Sequence, residues 1–227
     1  MRVEPFAVGS YLHVLKRGAR GIVIVGDDDD RWRFVRSLFH LNDAYFDEKW
    51  VLEKYTGGFF ERPSSWPPRK PLVSIISYTL MPNHFHLILR EIQEGGTSLF
   101  MKKLGQSMTN HFNEKYDEKG TIFQGAYKSR TIKDDRQMRY AIAYVIVKNT
   151  FELYPNGGLK DAMKDFETAW HWAIEYPFSS LSAFCGKRSS PIVDKSLLSD
   201  MFETPHHFKI YAQDVILGGK WFHADFE

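Results

Sequence analysis

Three features are scarce in this sequence, and each scarcity narrows the class of protein. Cysteine occurs once, at Cys185, so a disulfide framework is excluded and a cytoplasmic location is expected. No apolar run approaches the roughly 18 residues of a membrane-spanning helix, and no secretory signal is visible. The net charge is only +2, so a surface that binds nucleic acid must be a local cluster of basic residues.

The composition is that of a globular protein with a sizeable core. Its 227 residues are 43% hydrophobic, 15% aromatic and 26% charged, which is typical of folded domains. This length suits one large domain or one domain with an appendage. We expect residues 1–155 to form the main domain and residues 156–227 to form a C-terminal extension that packs on it.

Hydrophobic patterns predict strands that form hairpins, with helices between them. The predicted elements are a strand, a basic turn and a second short strand within 10–26, a helix at 27–42, strands at 72–80 and 84–90, a helix at 97–116, an extended segment at 120–132, and helices at 134–149 and 160–175. This order indicates an α+β protein with a ferredoxin-like or RRM-like antiparallel sheet, helices packed on one side of it, and a C-terminal extension.

The stretch "MPNHFHLIL" places His84 and His86 two residues apart on an otherwise apolar strand. Side chains two apart on a strand point to the same face, so both imidazoles face one way and Phe85 faces the other. A single histidine in such a stretch is more often a satisfied core or surface residue than a ligand. Burying two without partners costs about 1–3 kcal/mol each. A divalent cation would satisfy both, with a third donor from another element.

Four stretches, in this order, resemble the REP-associated tyrosine transposases, a branch of the single-tyrosine HUH transposases. They are "YLHVLKRG" with "DDDRWRFVRSL", "YTLMPNHFHLIL", "SLFMKKLGQSMTNHFNEKYDEKGTIFQGAYKSRTI" and "WAIEYPFSSLSAFCG". The resemblance implies that residues 1–155 are the catalytic domain. It also implies Mg²⁺ or Mn²⁺ held by His84, His86 and a polar residue of the third helix. The expected reaction is nicking and rejoining of single-stranded or hairpin DNA, through attack by a helix tyrosine that leaves a 5′-phosphotyrosine and a free 3′-hydroxyl.

The nucleophile is harder to assign, because this chain departs from the family pattern. In the family, tyrosine and asparagine lie four residues apart on the third helix and a proline follows. Here Tyr144 precedes Asn149 by five residues and Thr150 replaces the proline. Tyr140 is an alternative nucleophile, because it shares a helix face with Tyr144.

Three interpretations of this spacing remain open. A local adjustment such as a π-bulge would restore the pairing of Tyr144 with Asn149. Alternatively, Lys148 takes the position beside the metal, where its ammonium could contact phosphate but could not ligate a cation while charged. In the third interpretation the tyrosine has lost its function and the protein only binds DNA.

Basic and aromatic residues near these motifs are candidates for DNA contacts, because cations bind phosphates and aromatic rings stack on unpaired bases. Any one of them taken alone is more often solvated surface. The candidates are Lys16, Arg17, Lys102, Lys103, Gln124, Tyr127, Lys128 and Arg130.

Two other functions compete with the transposase interpretation. A domesticated protein that recognises hairpin or palindromic DNA without catalysis would bind DNA and form no adduct. A metal-dependent hydrolase of small phosphoesters would need carboxylates near the histidines, and "MPNHFHLIL" has none. The sequence leaves open the DNA target, whether the protein is a monomer or a homodimer, and the role of residues 204–227.

Overall fold

Four antiparallel strands form the central sheet of the computed structural model, which describes residues 6–45, 47, 58–155 and 157–218. The strands are β1 (Tyr11–Arg17), β2 (Val73–Leu80), β3 (His84–Glu91) and β4 (Lys128–Ile132). They lie in the order β2-β3-β1-β4. Helix α1 (Asp28–His40) comes between β1 and β2 in the chain, and α2 (Gly96–Tyr116) comes between β3 and β4. This α+β arrangement with a ferredoxin-like strand order confirms the predicted fold class.

A series of helical segments follows β4. They are α3 (Asp135–Ala143), a π-helical segment (Tyr144–Lys148), α4 (Asn149–Glu152), α5 (Leu159–Lys164), α6 (Phe166–Glu175), α7 (Leu181–Phe184), α8 (Ser196–Met201) and α9 (Pro205–Leu217). Among the residues that the structure describes, no helix combines the length and hydropathy needed to cross a membrane.

Helices cover both faces of the sheet, so the prediction that they pack on one side is wrong. Leu12, Phe85 and Leu87 face one core, which they share with α1 and α2. Ile88 faces the other core, which joins the π-helical segment to helices as far along the chain as α9. The strands were predicted from apolar runs, and a nearly continuous run such as that of β3 is the pattern of a strand buried on both faces.

Two local predictions fail for identifiable reasons. The second short strand within 10–26 is absent: the chain turns at Gly21, which has a φ of +78°, and Ile24 donates its N–H to the carbonyl of Pro82 outside the sheet. Helix α9 was not anticipated, although Thr204 caps it and Pro205 opens it, a recognisable start signal. Residues 156 and 219–227 of the expected extension lie outside the described residues.

Candidate active site

His84 and His86 lie at the start of β3 and share a face, as predicted. Their ring centroids are 5.0 Å apart. His84 pairs across the sheet with Arg17 of β1, and His86 pairs with Leu15 of β1 and Thr79 of β2. His86 is 1% exposed, whereas His84 is half-buried and its Nδ1 lies 2.6 Å from Oδ1 of Asn83.

His13 of β1 is a third histidine at this site, and sequence reasoning missed it. Its Nε2 lies 2.8 Å from Nδ1 of His86. The alternation of side chains along a strand predicts that His13 points to the opposite face from Leu12 and Val14. Only the pairing of β1 with β3 shows that this face is also the face of His86.

Burial keeps both histidines neutral. It lowers the pKa of His13 to about 3 and holds the pKa of His86 well below its usual range, with smaller effects from neighbouring titratable side chains, His13 first among them. Neutral imidazole is the form that binds metals. If Nε2 of His86 is to bind a cation, its Nδ1 must carry the proton and donate a hydrogen bond to Nε2 of His13. The distance of 2.8 Å between these two nitrogens allows that hydrogen bond.

The chain between α3 and α4 adopts the π-helical segment that one interpretation of the tyrosine spacing required. The N–H of Asn149 donates to the carbonyl of Tyr144, five residues earlier. A π-turn contains about one more residue than an α-turn, so residues five apart come to the same face. Tyr144 and Asn149 thus regain the alignment that a spacing of four gives in an α-helix.

Two threonines support this segment. The hydroxyl of Thr79 on β2 donates to the carbonyl of Val145 at 2.6 Å, which ties the π-turn to the sheet beside His86. The hydroxyl of Thr150 donates to the carbonyl of Ile146 at 2.9 Å. Side chains that bond to helix carbonyls are a known cause of irregular helix geometry.

Tyr144 is brought against the histidines. Its ring lies edge-on to His13, at a centroid distance of 5.9 Å, and to His86, at 5.8 Å. It is 5% exposed. The ring of Tyr140 stacks on it at 6.3 Å, and burial raises the pKa of Tyr140. Tyr144, one of the two candidate nucleophiles, thus has its ring against both His13 and His86.

Lys148, which the second interpretation of the spacing places beside the metal, lies beside the tyrosine ring. Its Nζ is 4.7 Å from the centroid of the Tyr144 ring, and it forms an ion pair with Glu152. A paired ammonium carries no lone pair for a cation, so Lys148 is placed to contact an anion and not a metal.

Asn149 is the most unusual polar residue of the site. It is 1% exposed, and within the described part of the chain neither Oδ1 nor Nδ2 has a hydrogen-bond partner. Buried amides are almost always paired, because an orphaned one costs about 1–3 kcal/mol. Asn149 is aligned with Tyr144 by the π-turn, and the Tyr144 ring meets His86, so this amide is a candidate oxygen donor for a divalent cation held by the strand histidines. No group of three or more His, Cys, Asp or Glu side chains suited to a metal occurs among the described residues, so this set depends on the amide.

The candidate DNA-binding residues fall on two surfaces. Lys128 and Arg130 are exposed and lie opposite Leu15 and His13. Because residues directly opposite in a sheet share a face, they lie on the histidine face, together with Arg17.

The other candidates lie towards α2 or in the loop before β4. Lys16 Nζ donates to the carbonyl of Gly125 at 2.9 Å, and Lys103 Nζ donates to that of Asp43 at 2.7 Å. Tyr127 lies 3.3 Å from the Ser98 hydroxyl. Lys102 and Gln124 are exposed.

Comparison with known proteins gives one family match. Residues 69–147 match the family described as "Transposase IS200 like", which confirms the resemblance over about a third of the chain. The matched residues include both strand histidines and Tyr144. A transposase is a DNA-processing enzyme, so this match supports a DNA-directed function.

Among solved structures, that of a REP-associated tyrosine transposase bound to a REP hairpin is similar, with 13% sequence identity and a TM-score of 0.46, over 85% of this chain and 88% of that one. No curated protein matches the sequence significantly.

Proposed function

We propose that this protein, whose residues 69–147 carry the IS200-like transposase match, nicks and rejoins single-stranded or hairpin DNA through a covalent tyrosine intermediate. The observation that carries the proposal is the π-turn, which aligns Tyr144 with Asn149 despite the additional residue between them. This alignment lies beside two buried, neutral histidines.

His84, His86 and Asn149 are the residues that would hold the metal. Two imidazoles and an amide oxygen are ligands that suit Mn²⁺, and Mg²⁺ in the presence of phosphate oxygens. A divalent cation at this position would supply Lewis-acid polarisation of the scissile phosphate. His13 would act through His86, by accepting a hydrogen bond from its Nδ1–H.

The remaining chemistry belongs to the protein and the DNA. The phenolic oxygen of Tyr144 attacks the phosphorus, and its bond to phosphorus forms as the bond to the 3′-oxygen breaks. The phenol loses one proton and the departing 3′-oxygen gains one, so the step is neutral in protons. The product is a 5′-phosphotyrosine and a free 3′-hydroxyl, and attack by a 3′-hydroxyl on the phosphotyrosine reverses it. Lys148 lies beside the ring, where its charge favours a phosphate.

The test is adduct formation on labelled hairpin oligonucleotides with single-stranded flanks. With Mn²⁺ we expect a labelled band that is retarded on a denaturing protein gel, together with a fragment that a polymerase can extend from its 3′-hydroxyl. EDTA should abolish both. DNA binding without an adduct, across several hairpins that the protein binds, would contradict the proposal.

A second candidate function is DNA binding without catalysis. The burial of Tyr144, at 5% exposure, favours it, because a nucleophile has to reach the phosphate. On this alternative, the protein binds hairpins without metal and forms no adduct. The Mn²⁺ arm of the same assay separates the two candidates, because an adduct is expected there only if the protein nicks DNA.

Replacement of His13 should weaken metal binding without touching a ligand. We expect His13→Leu to lower the affinity for Mn²⁺ by about 10–100-fold, the usual effect of losing the partner of a metal-bound histidine. His13→Gln keeps an acceptor near the position of Nε2 and should stay within a few-fold of the wild type. Mn²⁺ titration followed by electron paramagnetic resonance, without DNA, measures both. Equal losses in the two variants would contradict this role.

The basic residues of the histidine face should contribute to DNA binding through phosphate contacts. For Lys128→Ala and Arg130→Ala we expect weaker binding to every sequence, and a slope of log affinity against log salt reduced by about 1 for each. Lys160→Ala removes an exposed charge of α5 and is the matched control. A slope that changes as much in Lys160→Ala as in the other two would contradict the assignment of this face.

A further inference from the structure

A cavity lies at the β2 edge of the sheet, away from the histidine face. Its volume is about 520 Å³, and its walls come from α1, residues 59–60, Tyr78 of β2 and residues 177–192. The lining is mainly aromatic and aliphatic, with several serines. Among the residues that the structure describes, Arg188 is the one charged residue of the lining, and no acidic side chain contributes to it.

Aromatic rings and guanidinium groups lie close together at this cavity. Trp32 meets Phe59 edge-on at 5.6 Å and Phe178 at 5.0 Å. Arg188 lies 6.0 Å from the centroid of Trp32, and its Nη1 donates to the carbonyl of Pro177 at 3.3 Å. A second guanidinium, that of Arg36, lies 5.5 Å from the centroid of the Phe59 ring.

This combination matches a planar, aromatic ligand that carries a negative charge. Aromatic rings offer stacking or edge contacts to a flat heterocycle, and arginine pairs with phosphate oxygens. Proteins that bind single-stranded nucleic acid combine these two features, because every base has a π-face and every nucleotide has a phosphate. Serine hydroxyls can donate to or accept from the polar edges of a base.

The cavity and the proposed active site lie on opposite faces of the sheet. Ser179, which lines the cavity, forms a bridge with Thr79 of β2, and Thr79 pairs with His86 of β3. Strands lie about 5 Å apart, so these two steps span roughly 10 Å through the protein. Because Ser179 and Thr79 are buried, a single strand that is held at the histidines would pass around the β2 edge of the sheet to reach the cavity.

We propose that this cavity binds one unpaired nucleobase of the DNA, with the base against Trp32 and Phe59 and the phosphate near Arg188. The inference rests on the proposed DNA-processing function and adds a second contact point for the substrate. It would fix the position of the unpaired flank relative to the histidines, and so the position of the scissile phosphate.

The test begins with a change in the DNA, so that the fold of the protein is not disturbed. Hairpin oligonucleotides with one abasic residue at each unpaired position are titrated against the wild-type protein. We expect one position to stand out with a loss of affinity of about 5- to 100-fold, the range that stacking of one base contributes. A uniform response along the flank would overturn the proposal.

Variants then locate the contact. Phe59, 39% exposed, can be changed with little risk to the core. In Phe59→Ala and in Arg188→Gln, an abasic residue at the sensitive position should lower the DNA affinity much less than it does for the wild type. Ile210→Ala changes a similarly exposed apolar residue of α9 and is the control. In this variant the abasic residue should lower the DNA affinity as much as it does for the wild type. Unchanged sensitivity in the first two variants would overturn the assignment. If the wild-type protein bound no DNA at all, that result would contradict the proposed function itself, and the nucleobase site with it.

Discussion

Replacement of Tyr144 with phenylalanine is expected to abolish the covalent protein–DNA adduct and to leave DNA binding intact. The substitution removes one oxygen, the proposed nucleophile, and keeps the ring that packs edge-on against His13 and His86. We expect at least a 1,000-fold loss of adduct, on the order of what removal of a covalent nucleophile costs. Denaturing gels with labelled hairpin DNA and Mn²⁺ measure the adduct, and gel retardation without denaturant measures binding.

Tyr140→Phe is the matched control for this experiment. The two tyrosines stack on each other on the same helix, so a nonspecific effect of losing a hydroxyl would appear in both variants. The account predicts an adduct in Tyr140→Phe at nearly the wild-type level. An adduct that persists in Tyr144→Phe and disappears in Tyr140→Phe would transfer the nucleophile to the alternative residue.

Replacement of Asn149 with leucine should separate stability from function. The amide is 1% exposed and neither of its polar atoms has a partner in the described structure. An apolar side chain of similar size removes that desolvation cost, so we expect the free energy of unfolding to rise by about 1–3 kcal/mol. The same change removes the proposed oxygen ligand, so Mn²⁺ affinity and adduct formation should both fall sharply.

Urea unfolding measured without metal gives the stability half of this prediction. Asn149→Ala is the control, because it also removes the orphaned amide but leaves a cavity, and so should be less stable than the leucine variant. A leucine variant that is less stable than the wild type would mean that the asparagine contributes to folding. A leucine variant that forms the adduct normally would exclude Asn149 as a ligand.

The parts of the fold that follow local periodicity could be predicted from the sequence. The alternation of β3 placed His84 and His86 on one face, and the turn at Pro82 indicated the hairpin with β2. Helix α1 begins as predicted, with Asp27 accepting a hydrogen bond from the N–H of Asp30 at 3.0 Å. Each of these features depends on residues that are close together in the chain.

The features that sequence reasoning missed depend on contacts between distant segments. His13 joins the site through the pairing of β1 with β3, which brings together residues that are 73 positions apart. The π-turn was one of three possibilities, because its support includes the hydroxyl of Thr79 on β2. The cavity beside Trp32 is closed by residues 177–192, whose position no local pattern specifies.

The π-turn gives a physical account of the unusual spacing. One additional residue in a regular α-helix would rotate everything after it by about 100°. Tyr144 and Asn149 would then face different directions, and only one of them could lie at the histidines. The π-helical segment absorbs that residue within one turn, so the helix before it and the helix after it keep their packing on the second core.

The measurement that tests the central claim most directly is mass spectrometry of the protein after reaction with hairpin DNA and Mn²⁺. Nuclease and protease digestion would leave a short nucleotide on the peptide that contains the nucleophile. The account predicts this mass on the peptide spanning Tyr144, with fragment ions that place it on that residue. A nucleotide on another tyrosine, or no nucleotide on any peptide although the DNA was bound, would contradict it.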